Sequence, residues 1–132
     1  MELKIISNIN FINIIGIFIA LISLVFTIWH SVHSNRTERK TETIRVLKSI
    51  RINYPSIYNM NFYQKINYMQ EVEFFATGVN EGIYDIAIVK KMSGSLLKQQ
   101  YNKWIKGYIH STRDKQKNDK VYIEFEKMIE KL

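Results

Sequence analysis

Inside the apolar run Phe11–Trp29, the residues Asn13, Gly16, Ala20, Ser23 and Thr27 recur at spacings of 3, 4, 3 and 4, and His30 follows three positions later. On a helix this spacing draws one seam of small and hydrogen-bonding side chains. Every other residue from Ile14 to Trp29 is Ile, Leu, Val, Phe or Trp. Lipid gives apolar helices no hydrophobic reason to meet, so contacts there rely on small residues for close approach and polar ones for hydrogen bonds. The seam therefore points to self-association. Its polar members suit a second task, the lining of a water-filled pore, because polar side chains at membrane depth face a bundle interior or water. His30 and His33 stand one turn apart, a spacing that could bind metal or sense pH. With no Cys in the chain and no carboxylate cluster beside them, a place at the membrane interface is the simpler expectation.

A second set of residues suits polyanion binding. From Ile86 to Lys120 the chain carries nine Lys or Arg against Asp114 and Asp119, which accounts for the whole net charge of +7. Lys98, Lys103, Lys106, His110, Arg113 and Lys117 lie in this block, with Tyr101 and Tyr108 interleaved. Basic side chains beside aromatic platforms are the combination that holds single-stranded nucleic acid. A phosphate-bearing ligand is the reading preferred here. Contact with anionic lipid, or a merely solvated face, would use the same lysines.

Catalytic chemistry finds little support. Glu71 and Glu73 are two residues apart, so on a helix they point away from each other and cannot share a substrate. There is no glycine-rich phosphate loop, no Ser/His/Asp set and no metal-ligand cluster in the sequence. A non-enzymatic protein without a cofactor is expected.

These residues need helices to position them. Phe11–Trp29 is nineteen uncharged residues, which as a helix span roughly 28 Å, the thickness of a bilayer's hydrocarbon core. A cleaved leader is a poorer fit, since the run is long for one and Val32-His33-Ser34 makes a weak cleavage site. Lys4 alone precedes the span, whereas Arg36, Arg39, Lys40, Arg45 and Lys48 follow it. The positive-inside rule then predicts a membrane protein with its N-terminus outside and its C-terminal part in the cytoplasm. Composition, 46% hydrophobic and 23% charged with one Pro, predicts that this part folds.

The pattern divides the chain into a short outer segment 1–10, a transmembrane helix 11–30, a juxtamembrane helix 31–53 and a helical domain 54–132. Pro55 stops the second helix. A further helix is expected over 61–77, ended by a left-handed Gly78. Asn80-Glu81-Gly82 is read as a turn. Asp85 should cap a short helix, 86–92, that stops near Ser93-Gly94. Leu97, Tyr101, Trp104, Ile105 and Tyr108 give a helix over 96–113 one buried face. A charged loop follows at 114–119, and a last helix covers 121–132. No stretch alternates in the manner of a strand, so the fold class is all-α: one N-terminal transmembrane helix continuing into a small cytoplasmic helical domain.

The segment from Tyr68 to Asp85, YMQEVEFFATGVNEGIYD, joins Asn35-Arg36-Thr37, Tyr101-Asn102 and Tyr122-x-x-Phe125-Glu126 in a recognisable set. On these residues the chain resembles, over roughly 35–132, a family of small bacterial single-span membrane proteins found near phage-defence genes. Their short helical domain is of unknown function, so there is no catalytic motif to carry over. Among them it is most similar to the membrane effectors of Hailong-type defence. That resemblance implies an oligomeric channel controlled by oligonucleotides that a partner nucleotidyltransferase makes. Together with the seam, it leads to the expectation of a homo-oligomer, a tetramer, that conducts ions under the control of a phosphate-bearing ligand. A non-conducting anchor that recruits a partner protein is the alternative. So is a small membrane toxin of a toxin–antitoxin pair.

Overall fold

The structure is a computed structural model; it describes the backbone of residues 2–132 and the side chains from Asn13 onward. Among the described residues every regular element is helical. The fold is all-α. The chain divides into two compact units, residues 1–38 and 39–132. The dividing point falls inside the helix α1, Glu2–Asn53, within the expected juxtamembrane stretch 31–53.

In the first unit α1 is long and apolar enough to cross a membrane. All side chains from Asn13 to Glu38 are exposed. Phe18, Ile22 and Val25 each leave more than 60% of their surface uncovered. A helix this apolar on all sides has no stable place in water.

The second unit has its own core. The last part of α1 contributes Leu47, and a single turn at Ile57–Asn59 contributes Ile57. Next comes α2, Phe62–Asn80, which opens on a capping box: the Asn61 side chain accepts from the Gln64 N–H, and the Gln64 side chain accepts from the Asn61 N–H. Met69, Val72 and Ala76 form its buried stripe. The chief partner of α2 is the last helix, α5, Ile123–Lys131, which supplies Phe125, Met128 and Ile129.

Two expected glycine stops are corrected. Helix α2 runs past Gly78, and the left-handed residue is Gly82, with φ of 75°. Gly78 is required for a different reason: a Cβ there would stand 2.5 Å from the Tyr84 ring. Likewise Ser93-Gly94 ends nothing. Helix α3 runs from Ile86 to Gln100, opened by Asp85 as expected, whose carboxylate accepts from the Ala87 and Ile88 N–H groups. A helical glycine costs only about 1 kcal/mol, and burial of Val89 and Leu97 on either side of Gly94 outweighs that.

The helix then passes through a π-helical turn, Tyr101–Ile105, into α4, Lys106–Gln116. What reads in the sequence as two helices, 86–92 and 96–113, is therefore one irregular rod. Lys117, in the left-handed conformation, ends it. Thr43 ties this rod to the last part of α1. Its hydroxyl donates to the Arg39 carbonyl and accepts from the Asp85 N–H, both within 2.8 Å.

Candidate functional site

The seam residues Asn13, Gly16, Ala20, Ser23, Thr27 and His30 are all exposed on α1. Steps of three and four residues keep them on one side of the helix, drifting slowly as the 3.5-residue repeat departs from 3.6. Nothing stands within 4 Å of a Cβ added at Gly16, so this face is open to a close neighbour. Thr27 Oγ1 donates to the Ser23 carbonyl at 2.8 Å. That bond satisfies the hydroxyl proton and leaves its lone pairs turned outward. Near the end of the apolar segment Phe26, Thr27, His30, Ser31, Ser34 and Asn35 line a shallow groove of mixed character. A second groove on the same segment, formed by Phe18, Leu21, Ile22, Val25, Phe26 and Trp29, is wholly apolar.

The two histidines face different neighbours. His33 stacks on Trp29 with ring centroids 5.5 Å apart, whereas His30 lies against Phe26. Among the described residues no three His, Cys, Asp or Glu side chains converge to hold a metal.

The basic block is brought together only in part. Lys98, Lys103, Lys106, His110 and Lys117 are exposed. The Lys103 ammonium lies over the Tyr58 ring, 5.5 Å from its centroid, a contact that leaves its charge available. Arg113 is not on the open side expected for it, and Tyr101, half-buried as its place on the apolar face implies, is not a free ligand platform. The Tyr101 hydroxyl donates to Glu126 at 2.9 Å, and Arg113 donates to the other Glu126 oxygen at 2.7 Å and to the Val121 carbonyl at 2.9 Å. Arg113 keeps only 15% of its side-chain surface exposed. Burial and the Glu126 hydrogen bond push the Tyr101 hydroxyl up to about 12, so it remains a proton donor. This trio braces α5 against the irregular rod. It is not a ligand face.

The two paired glutamates serve the fold separately. Glu71 accepts from the Tyr54 hydroxyl at 3.1 Å. Glu73 reaches α5, whose preceding residue Tyr122 has φ of 58° and offers no side-chain cap. The Glu73 carboxylate accepts from the Glu124 and Phe125 N–H groups at 3.1 and 2.7 Å. It thus caps from another helix the donors that α5 leaves orphaned. Desolvation raises its pKa, and the two N–H donors offset this only in part.

One site has no signal in the sequence pattern. A cavity of about 270 Å³ opens inside the second unit, between the last part of α1, α2 and α3. Gln100 reaches it from the end of α3, only 6% exposed.

The family described as Domain of unknown function (DUF4760) matches residues 57–132. That stretch begins just after Pro55 and includes α2, α3, α4 and α5. No curated protein matches the chain, and no solved structure does.

Proposed function

We propose that this chain, which belongs to the family described as Domain of unknown function (DUF4760), is a homo-oligomeric effector of anti-phage defence that conducts ions across the inner membrane. The observation that carries the reading is α1: an apolar surface exposed all round, interrupted by one polar seam. A tetramer that turns four seams inward gives the apolar sides to lipid and the polar side to water. Its second unit lies in the cytoplasm, where a phosphate-bearing ligand, an oligonucleotide supplied by a partner nucleotidyltransferase, controls whether the pore is open or shut. The resemblance to Hailong-type membrane effectors supports the defence role and that partner.

Liposomes containing the purified chain test the pore. Ion flux is expected from the wild type in one of two conditions, with or without an added short oligonucleotide. It should be lost when Asn13, Ser23 and Thr27 are all replaced by Leu, because an apolar constriction closes by dewetting. Unchanged oligomer size with no flux separates conduction from assembly. Flux that survives in the triple variant removes the seam as the pore lining, and absence of flux from the wild type removes the pore and leaves the recruiting anchor. That second reading has its own support in Phe62, Tyr63 and Phe74, each at least 66% exposed on the second unit.

A further inference from the structure

The cavity in the second unit is walled chiefly by apolar and aromatic side chains, among them Leu47, Ile57, Val72 and Leu97. At about 270 Å³ it holds the volume of roughly nine waters. Two polar residues meet at its wall. The Tyr68 hydroxyl donates to Gln100 Oε1 at 3.1 Å. Burial drives the Tyr68 pKa far upward, so this hydroxyl keeps its proton and its role as donor. The bond fixes the Gln100 amide. Its oxygen is taken, and its Nε2 is left with two N–H donors.

Those donors find no acceptor among the described residues. They are not sealed away either, because Trp104 Nε1 is the one fully enclosed side-chain nitrogen or oxygen there without a partner. An amide buried to this degree with free donors loses part of its hydration and gains nothing in return. The cavity interior offers no carboxylate, and its one charged lining residue, Arg51, is exposed. Such a space favours an occupant with an apolar body and one uncharged hydrogen-bond acceptor.

We infer that this cavity is a binding site for a small uncharged carbonyl compound of about ten non-hydrogen atoms, whose oxygen accepts from Gln100 Nε2 while its hydrocarbon part fills the apolar walls. The site adjoins the basic block at Tyr58, over whose ring Lys103 lies; it is separate from the seam and does not depend on ion conduction.

The chain has no cysteine, so one introduced thiol reports on the site without background. Ser93 lines the cavity and is partly exposed, and Ser93→Cys changes little in volume. The full chain in lipid nanodiscs is labelled with N-ethylmaleimide in the presence of 2-octanone, and in a parallel sample with octane. Ser49→Cys, exposed and outside this cavity, is the control. The ketone should slow labelling at Ser93→Cys and leave Ser49→Cys untouched, and the alkane should protect less than the ketone. Adding Gln100→Leu should weaken ketone protection roughly three- to tenfold, the worth of one neutral hydrogen bond, and raise protection by octane. The gain with octane shows that the cavity persists in the variant. Equal protection by ketone and alkane in the Ser93→Cys protein overturns the inference. Absence of ketone protection does so too, as does protection that Gln100→Leu leaves unchanged.

Discussion

Glu73 illustrates how a residue that looks catalytic is absorbed by the fold. It is half-buried, and its two oxygens each meet one N–H of α5. Replacement by Gln keeps the size but offers one oxygen for two donors, so Glu73→Gln should destabilise the second unit by about 1 kcal/mol. The pH dependence has a definite sign. Desolvation holds the folded carboxyl above its ordinary 4.5. Between those two values the folded chain binds more protons than the unfolded one, so the stability Glu73 contributes falls as pH rises. The melting advantage of the wild type over Glu73→Gln should therefore be largest below pH 4.5 and shrink as pH passes the raised value. Melting curves followed by circular dichroism at pH 4, 5, 6 and 7 check this. An advantage that grows with pH would mean that N–H donation to the anion outweighs desolvation.

At the scale of elements, the close approach of α2 to the segment before α3 turns on one missing side chain. A Cβ at Gly78 would meet the Tyr84 ring at 2.5 Å, and that ring is stacked on Phe75 with centroids 5.0 Å apart. Gly78→Ala should cost about 1 to 3 kcal/mol by overpacking. In a Tyr84→Ala background the penalty should vanish and even reverse, since Ala is the better helix former. Thermal melts of the four proteins in that cycle give the coupling; additive effects would show that the ring moves aside freely. The same pair explains what the sequence could and could not tell. The all-helical class and most buried faces were legible because apolar residues recur every three or four positions, and Asp85 and Pro55 act locally. Gly78 and Gly82 look equally able to end α2, and packing against Tyr84 decides between them. Arg113 and Glu126 are thirteen residues apart on different helices, so a pattern that sees only one face counted Arg113 as solvated. The π-helical turn and the Gln100 cavity arise from several elements meeting. Neither leaves a local pattern in the chain.

For the molecule as a whole, charge and burial separate two kinds of cation within the basic block. Arg113 is held by Glu126 and the Val121 carbonyl, and replacing it with Glu would set two carboxylates together in a poorly solvated place. Any loss of ligand binding in such a variant would be confounded by loss of fold. Lys103, Lys106 and Lys117 are exposed and carry no ion pair among the described residues. Changing these three to Glu should leave the melting temperature nearly unchanged, because exposed charges contribute little to stability. If a polyanion is bound by this face, the same variant should lose retention of a single-stranded oligonucleotide. Each phosphate contacted releases counterions, so wild-type binding should weaken with salt at a slope of about −0.7 per contact in a double-logarithmic plot. With three lysines engaged, that slope is about −2. Filter binding of the full chain at several salt concentrations, beside anionic vesicles as a competing surface, distinguishes the sources of phosphate. Retention with this slope that the triple variant abolishes supports ligand control of the pore. Vesicle binding that depends on the three lysines, without oligonucleotide retention, would assign the block to the membrane surface and remove the ligand from the proposed mechanism.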